Sequence, residues 1–117
     1  RSPEWPEGAF SALAGFVSPG ETPEEAVIRE VFEEVGLNVT NPVYKFSQPW
    51  PFPGQLMMGM FCQTDETKLT LNTKEVSEAR WFSKDTIRGV WNGTDDTIYC
   101  PPPFTIAYNL IEAWLKK

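Results

Sequence analysis

The stretch from Thr22 to Gly36 constrains this chain most, because its two ends and its interior all specify the same structure. Thr22 suits a helix N-cap, Pro23 suits the first helical position, and Glu25, three residues after the cap, completes a capping box. Gly36 stops the helix, since glycine takes the left-handed conformation there at little steric cost. Between the two signals, Ala26, Val27, Val31 and Val35 recur at helical spacing and form an inward stripe, while glutamates occupy the other faces. The spacing predicts a helix over 23–35.

The remainder of the chain bounds what such a helix can serve. With 117 residues and 41% hydrophobic content, the sequence predicts a single compact domain with a core of its own. No histidine occurs, which excludes Ser-His-Asp triads, Cys-His pairs, HExxH zinc sites and imidazole acid-base chemistry together. Catalysis is left to carboxylates, lysine, tyrosine or a metal. Cys62 and Cys100 are too few for a Cys₄ zinc cluster or a disulfide scaffold, so both read as free thiols in an intracellular, reducing location, cytoplasm or organelle. The longest apolar runs, 9–17 and 56–62, fall short of the roughly 20 residues that span a bilayer, and no membrane partner is expected. Ten basic against 16 acidic side chains leave a net charge of −6, which argues against binding nucleic acid by counterion release alone. A phosphate substrate would need a metal ion to bring it in.

The chain opens on Arg1 and a turn-rich octapeptide, which suggests the C-terminal catalytic part of a larger protein. Prolines cluster at 49–53 and 101–103 as rigid corners, and no repeat or low-complexity run is present. The sequons at Asn38 and Asn92 are read as chance, given the cysteine usage. Apolar or alternating runs predict strands at 9–17, 39–46, 55–63, 68–71 and 79–82, and Ile106, Leu110, Ile111 and Trp114 predict a closing helix over 104–115. Mixed strands and helices point to an α/β layer sandwich.

Glu30, Glu33 and Glu34 stand three and four residues apart and project within one arc of the first helix. Only Arg29 lies nearby to offset three repelling carboxylates. An exposed acidic helix face accounts for such a run; so does a site for a hard divalent ion, which takes carboxylate oxygens and bridges to substrate phosphates. The wider spacing favours the second reading. Gly15, Glu21, Arg29-Glu30-Val31, Glu33-Glu34, Gly36 and Leu37 match every fixed position of the Nudix box, and the chain is identified by it as resembling the Nudix hydrolases. The resemblance implies the Nudix fold, an α/β/α sandwich with a mixed β-sheet whose N-terminal strand is not evident in this sequence. It implies Mg²⁺ or Mn²⁺ as cofactor, with Glu30, Glu33 and Glu34 as metal ligands and Glu33 and Glu34 as catalytic groups. Glu21 assists from the loop, and Gly15, Gly20, Arg29 and Gly36 support the site.

A second array narrows the substrate. Ser47-Gln48-Pro49-Trp50-Pro51-Phe52-Pro53 resembles the SQPWPFPxS array of the NADH pyrophosphatase (NudC-like) subfamily, departing at its end, where Gln55 stands in place of serine. Proline locks φ and the aromatics offer flat apolar surface, so a rigid corner suited to a nucleotide ring makes physical sense, as does plain core packing. The resemblance implies substrate contacts from Gln48, Trp50, Phe52 and Gln55, stacking by Phe16, and a backbone contact near Ala107 after Pro101-Pro102-Pro103. Lys74 to Phe82 resembles the segment carrying a further catalytic and metal-binding glutamate, assigned to Glu75 with Glu78 as alternative. The expected reaction is hydrolysis of NADH to NMNH and AMP, with removal of NAD caps from RNA 5′ ends as the same chemistry. Broader hydrolysis of ADP-ribose or diadenosine polyphosphates is the alternative, and a non-catalytic Nudix binding module a third reading of another class. Subfamily analogy adds a homodimer, and confines zinc to an N-terminal ribbon domain outside this sequence.

Overall fold

The computed structural model of the chain describes residues 8–50 and 54–117, with Trp50 described in its backbone alone. It divides into two compact units: one is Leu13–Thr70, and the other combines the described residues up to Ala12 with Leu71–Lys117.

In the first unit, α1 spans Pro23–Val35 as its capping signals predict. Thr22 Oγ1 accepts from the Glu25 backbone N–H at 3.1 Å and Glu25 returns the bond to the Thr22 N–H at 3.0 Å. Gly36 closes the helix at φ 74°, its N–H donating to Phe32 O. Ala26, Val31 and Val35 are buried as the stripe requires, with Leu37 and Val39 beside them in sequence. A two-stranded antiparallel sheet follows, β1 over Thr40–Trp50 and β2 over Gln55–Gln63. Helix α1 packs against both strands. Two irregularities interrupt the ladder, one between Thr40 and Val43 and one between Tyr44 and Phe46. Asn41 takes a left-handed φ of 51° at the first, where Pro42 has no N–H to give to a ladder.

The second unit holds α2, Lys84–Trp91, and α3, Ile106–Leu115, capped by Ser83 and Thr105. Its core gathers Phe10, Ile87, Ile98 and Leu115, with Phe82, Trp91, Ile111 and Trp114 packed against them. Arg88 Nη2 donates to Leu115 O at 2.8 Å and Lys84 Nζ to Lys117 O at 3.0 Å, so α2 delivers two cations to the negative end of the α3 dipole.

Chain 9–17 forms no strand beyond one parallel bridge, Ala9 to Tyr99, and 68–71 and 79–82 form none. Among the described residues the sheet is the antiparallel β1–β2 pair of the first unit, and the Ala9–Tyr99 bridge is an isolated parallel contact within the second unit. Apolar content alone does not make a strand, since a strand requires a ladder partner for its backbone. Conversely, β1 extends to Trp50 where the sequence predicts an end at 46, and α2 arises where no helix is predicted.

Candidate active site

The site is built around α1. At 100° per residue, Glu30 lies between Glu34 on one side and Glu33 on the other. The burial follows that angle: Glu34 is 6% exposed, and the side chains of Glu30 and Glu33 are 23% and 53% exposed. The carboxylates thus straddle the edge of the apolar stripe rather than sharing one solvent face.

Arg29 organises the outer part of this set. Its Nε and Nη2 donate to the two oxygens of Glu21 at 2.8 Å each, a bidentate pair. Nη1 donates to Glu30 Oε1 at 2.7 Å and Glu33 Oε2 at 3.1 Å, and Nη2 also donates to the Phe16 carbonyl at 2.9 Å. One guanidinium therefore joins the helix to the loop before it. The Arg29 guanidinium, with help from the Ser18 N–H, holds the Glu21 carboxyl at about 2, well below its ordinary 4.5. The same bonds push Arg29 further up.

Gly15 lies where a Cβ would collide with the Glu30 carboxylate, so the missing side chain leaves the space that this carboxylate occupies. Gly20 takes φ 79° in the turn that presents Glu21. Gly36 is needed twice over, for its left-handed φ and because a Cβ would stand 2.9 Å from Thr70 Cβ.

Phe16 is 69% exposed in the same unit, a large ring offered to solvent. Gln48 pairs with Met57 and Trp50 with Gln55 in the β1–β2 register, with Gln48 and Gln55 half-buried. The Trp50 side chain and Phe52 lie outside the described residues. In the other unit, Glu75 is exposed in a turn where its N–H donates to Asn72 O at 3.0 Å, and Ala107 is half-buried in the first turn of α3. Glu78, the alternative to Glu75, is paired with Arg80. Sequence reasoning missed Ser18 and the Phe16 carbonyl as partners of Glu21 and Arg29, although Ser18-Pro19-Gly20 is a turn signal.

Among the described residues no three acidic or thiol groups converge to hold a metal ion, because Glu30 and Glu33 close on Arg29 while Glu34 turns inward. Their chemistry nonetheless fits one. They offer carboxylate oxygens alone, which suit a hard divalent cation, and the bare backbone of Gly15 lets the Glu30 carboxylate lie against the loop.

A carboxylate-bearing capped helix tied by one arginine to a glycine loop, packed on a two-stranded sheet, defines a class. A family model for the NUDIX domain matches residues 1–99, and the chain belongs to that family. Divalent metal dependence is a general property of the family. The chain is 39% identical over 117 residues to a human protein named NAD-capped RNA hydrolase NUDT12, matching 99% of this chain and 25% of that protein. It is 44% identical over 111 residues to the NAD-capped RNA hydrolase NudC of Chromobacterium violaceum, matching 95% of this chain and 38% of that one. To the protein of the same name in Mycobacterium tuberculosis it is 40% identical over 121 residues, with 97% and 39% matched. The chain thus spans between a quarter and two-fifths of the length of these relatives.

Proposed function

We propose that this chain is the Nudix domain of an NADH pyrophosphatase of the NudC-like subfamily, which hydrolyses NADH to NMNH and AMP and removes NAD caps from RNA. The observation that carries the reading is an intact Glu30, Glu33 and Glu34 set in a chain that matches NAD-capped RNA hydrolases over 95% or more of its length.

Glu30, Glu33 and Glu34 would hold Mg²⁺ or Mn²⁺, with Glu75 as the further ligand. When bound, such an ion supplies charge neutralisation at the phosphate oxygens and activation of the attacking water. The chain's own groups orient the rest. Arg29 keeps Glu30 and Glu33 at the loop edge, and Glu21 fixes the far side of the guanidinium. Phe16 offers a stacking surface for a base or nicotinamide ring. Gln48 and Gln55 supply amide groups from the two strands, and Trp50, Phe52 and Ala107 complete the substrate contacts. Homodimerisation and an intracellular location belong to the same proposal and rest on subfamily likeness; sedimentation of the full-length protein checks the first.

The test is hydrolysis of NADH, NAD⁺, ADP-ribose and diadenosine polyphosphate by the full-length protein, with Mg²⁺ or Mn²⁺ and with chelator, products being separated by chromatography. Metal-dependent NMNH and AMP with NADH preferred supports the reading. Equal or better turnover of the others favours the broader hydrolase, the alternative that Gln55 in place of serine recommends. Glu33→Gln should abolish turnover while leaving the thermal transition in place; full activity in that variant would sink the metal assignment.

A further inference from the structure

The second irregularity in β1 lies just before the Ser47-Gln48-Pro49-Trp50 array. Tyr44 pairs with Met60 and Phe46 with Gly59, so Lys45 is the extra residue of a β-bulge. Bulges re-aim side chains, and this one does so measurably. Met58 and Met60 share a face, which places their partners Ser47 and Tyr44 together although two residues stand between them; the Tyr44 hydroxyl and Ser47 Oγ accordingly lie 2.6 Å apart. Phe46 and Gln48 take the opposite face with Met57, Gly59 and Phe61. Lys45 Nζ sits 5.1 Å from the Phe61 ring centroid, so the ammonium is carried to the face of Gln48.

We propose that Lys45 is a substrate-binding residue whose ammonium holds a phosphate of the bound dinucleotide or of the RNA joined to it. The inference rests on the dinucleotide reading above and names one more contact of the same site. Charge supports it. Leu13–Thr70 holds three cationic side chains, Arg29, Lys45 and Lys68, within a chain of net charge −6. Arg29 is committed to Glu21, Glu30 and Glu33, whereas Lys45 makes no ion pair among the described residues. Contact with the Phe61 ring orders its stem without neutralising its charge, which lowers the entropy lost when an anion binds. An exposed ammonium with no carboxylate partner among the described residues is suited to a polyanionic ligand.

The experiment compares wild type, Lys45→Gln, Lys45→Arg and Lys68→Gln in the full-length protein, with NADH and an NAD-capped oligonucleotide as substrates. Lys45→Gln should raise KM roughly three- to tenfold with kcat within about twofold, Lys45→Arg should restore most of the loss, and Lys68→Gln should be neutral. Salt dependence of kcat/KM should become shallower in Lys45→Gln. A KM rise for both substrates assigns the dinucleotide's own diphosphate, and a rise for the capped oligonucleotide alone assigns the RNA phosphate. Unchanged KM for both with an active wild type overturns the role of Lys45 and leaves the hydrolase reading standing. A wild type that turns over neither substrate overturns both.

Discussion

At the scale of single residues, the site is a contest for one guanidinium. Arg29 is bonded to three carboxylates and a carbonyl, so its partners share a common fate. Glu21 is held at about 2 against an ordinary 4.5, which means the folded state favours its ionised form. The stability this supplies is present in full above pH 4.5 and is lost as pH falls toward 2. Acid unfolding of wild type and Glu21→Gln should therefore converge across that window, wild type being the more stable above it. Gly15→Ala acts through a different contact: an added Cβ pushes against the Glu30 carboxylate, the far end of a side chain that can swing away. The expected outcome is a loss of turnover exceeding tenfold with little change in melting temperature, measured by steady-state kinetics beside thermal unfolding. Glu21, Arg29 and Gly15 are legible in the sequence as box positions, but the Phe16 carbonyl and Ser18 N–H are backbone groups that no side-chain pattern announces.

At the scale of elements, α1 and α2 contrast. Helix α1 carries a reciprocal capping box, a proline start, an apolar stripe and a glycine stop, all within its own segment, and it forms at the predicted residues. Thr22→Ala should cost about 1 kcal/mol in chemical denaturation by exposing the helix N-terminus. Gly36→Ala should cost more than Thr22→Ala, because a left-handed φ and the nearby Thr70 side chain both oppose a Cβ. Helix α2 is eight residues long and contains Gly89; its own sequence is a weak helix former, and it is fixed by burial of Ile87 and by the bonds of Arg88 and Lys84 to the end of α3. The sheet repeats the lesson. Residues 55–63 form a strand as their pattern predicts, while 9–17, equally apolar, receive a single bridge.

At the scale of the whole molecule, both thiols are free and half-buried, and burial pushes each up from its ordinary value. A thiol reagent at neutral pH should modify Cys62 and Cys100 slowly in the native protein and both rapidly in denaturant, as counted by absorbance. The amino-acid sequence by itself determined the first helix, its carboxylates, the glycines that flank them and the family, because capping, periodicity and motif spacing act over a few neighbouring residues. The tertiary structure alone decided that Glu34 is buried while Glu33 faces solvent, that Arg29 reaches back eight residues to Glu21, and that Lys45, the extra residue of a bulge, lays its ammonium over the Phe61 ring. These depend on which backbone and side-chain groups meet across the fold, and a hydrogen bond or a strand register exists only when both partners are in place.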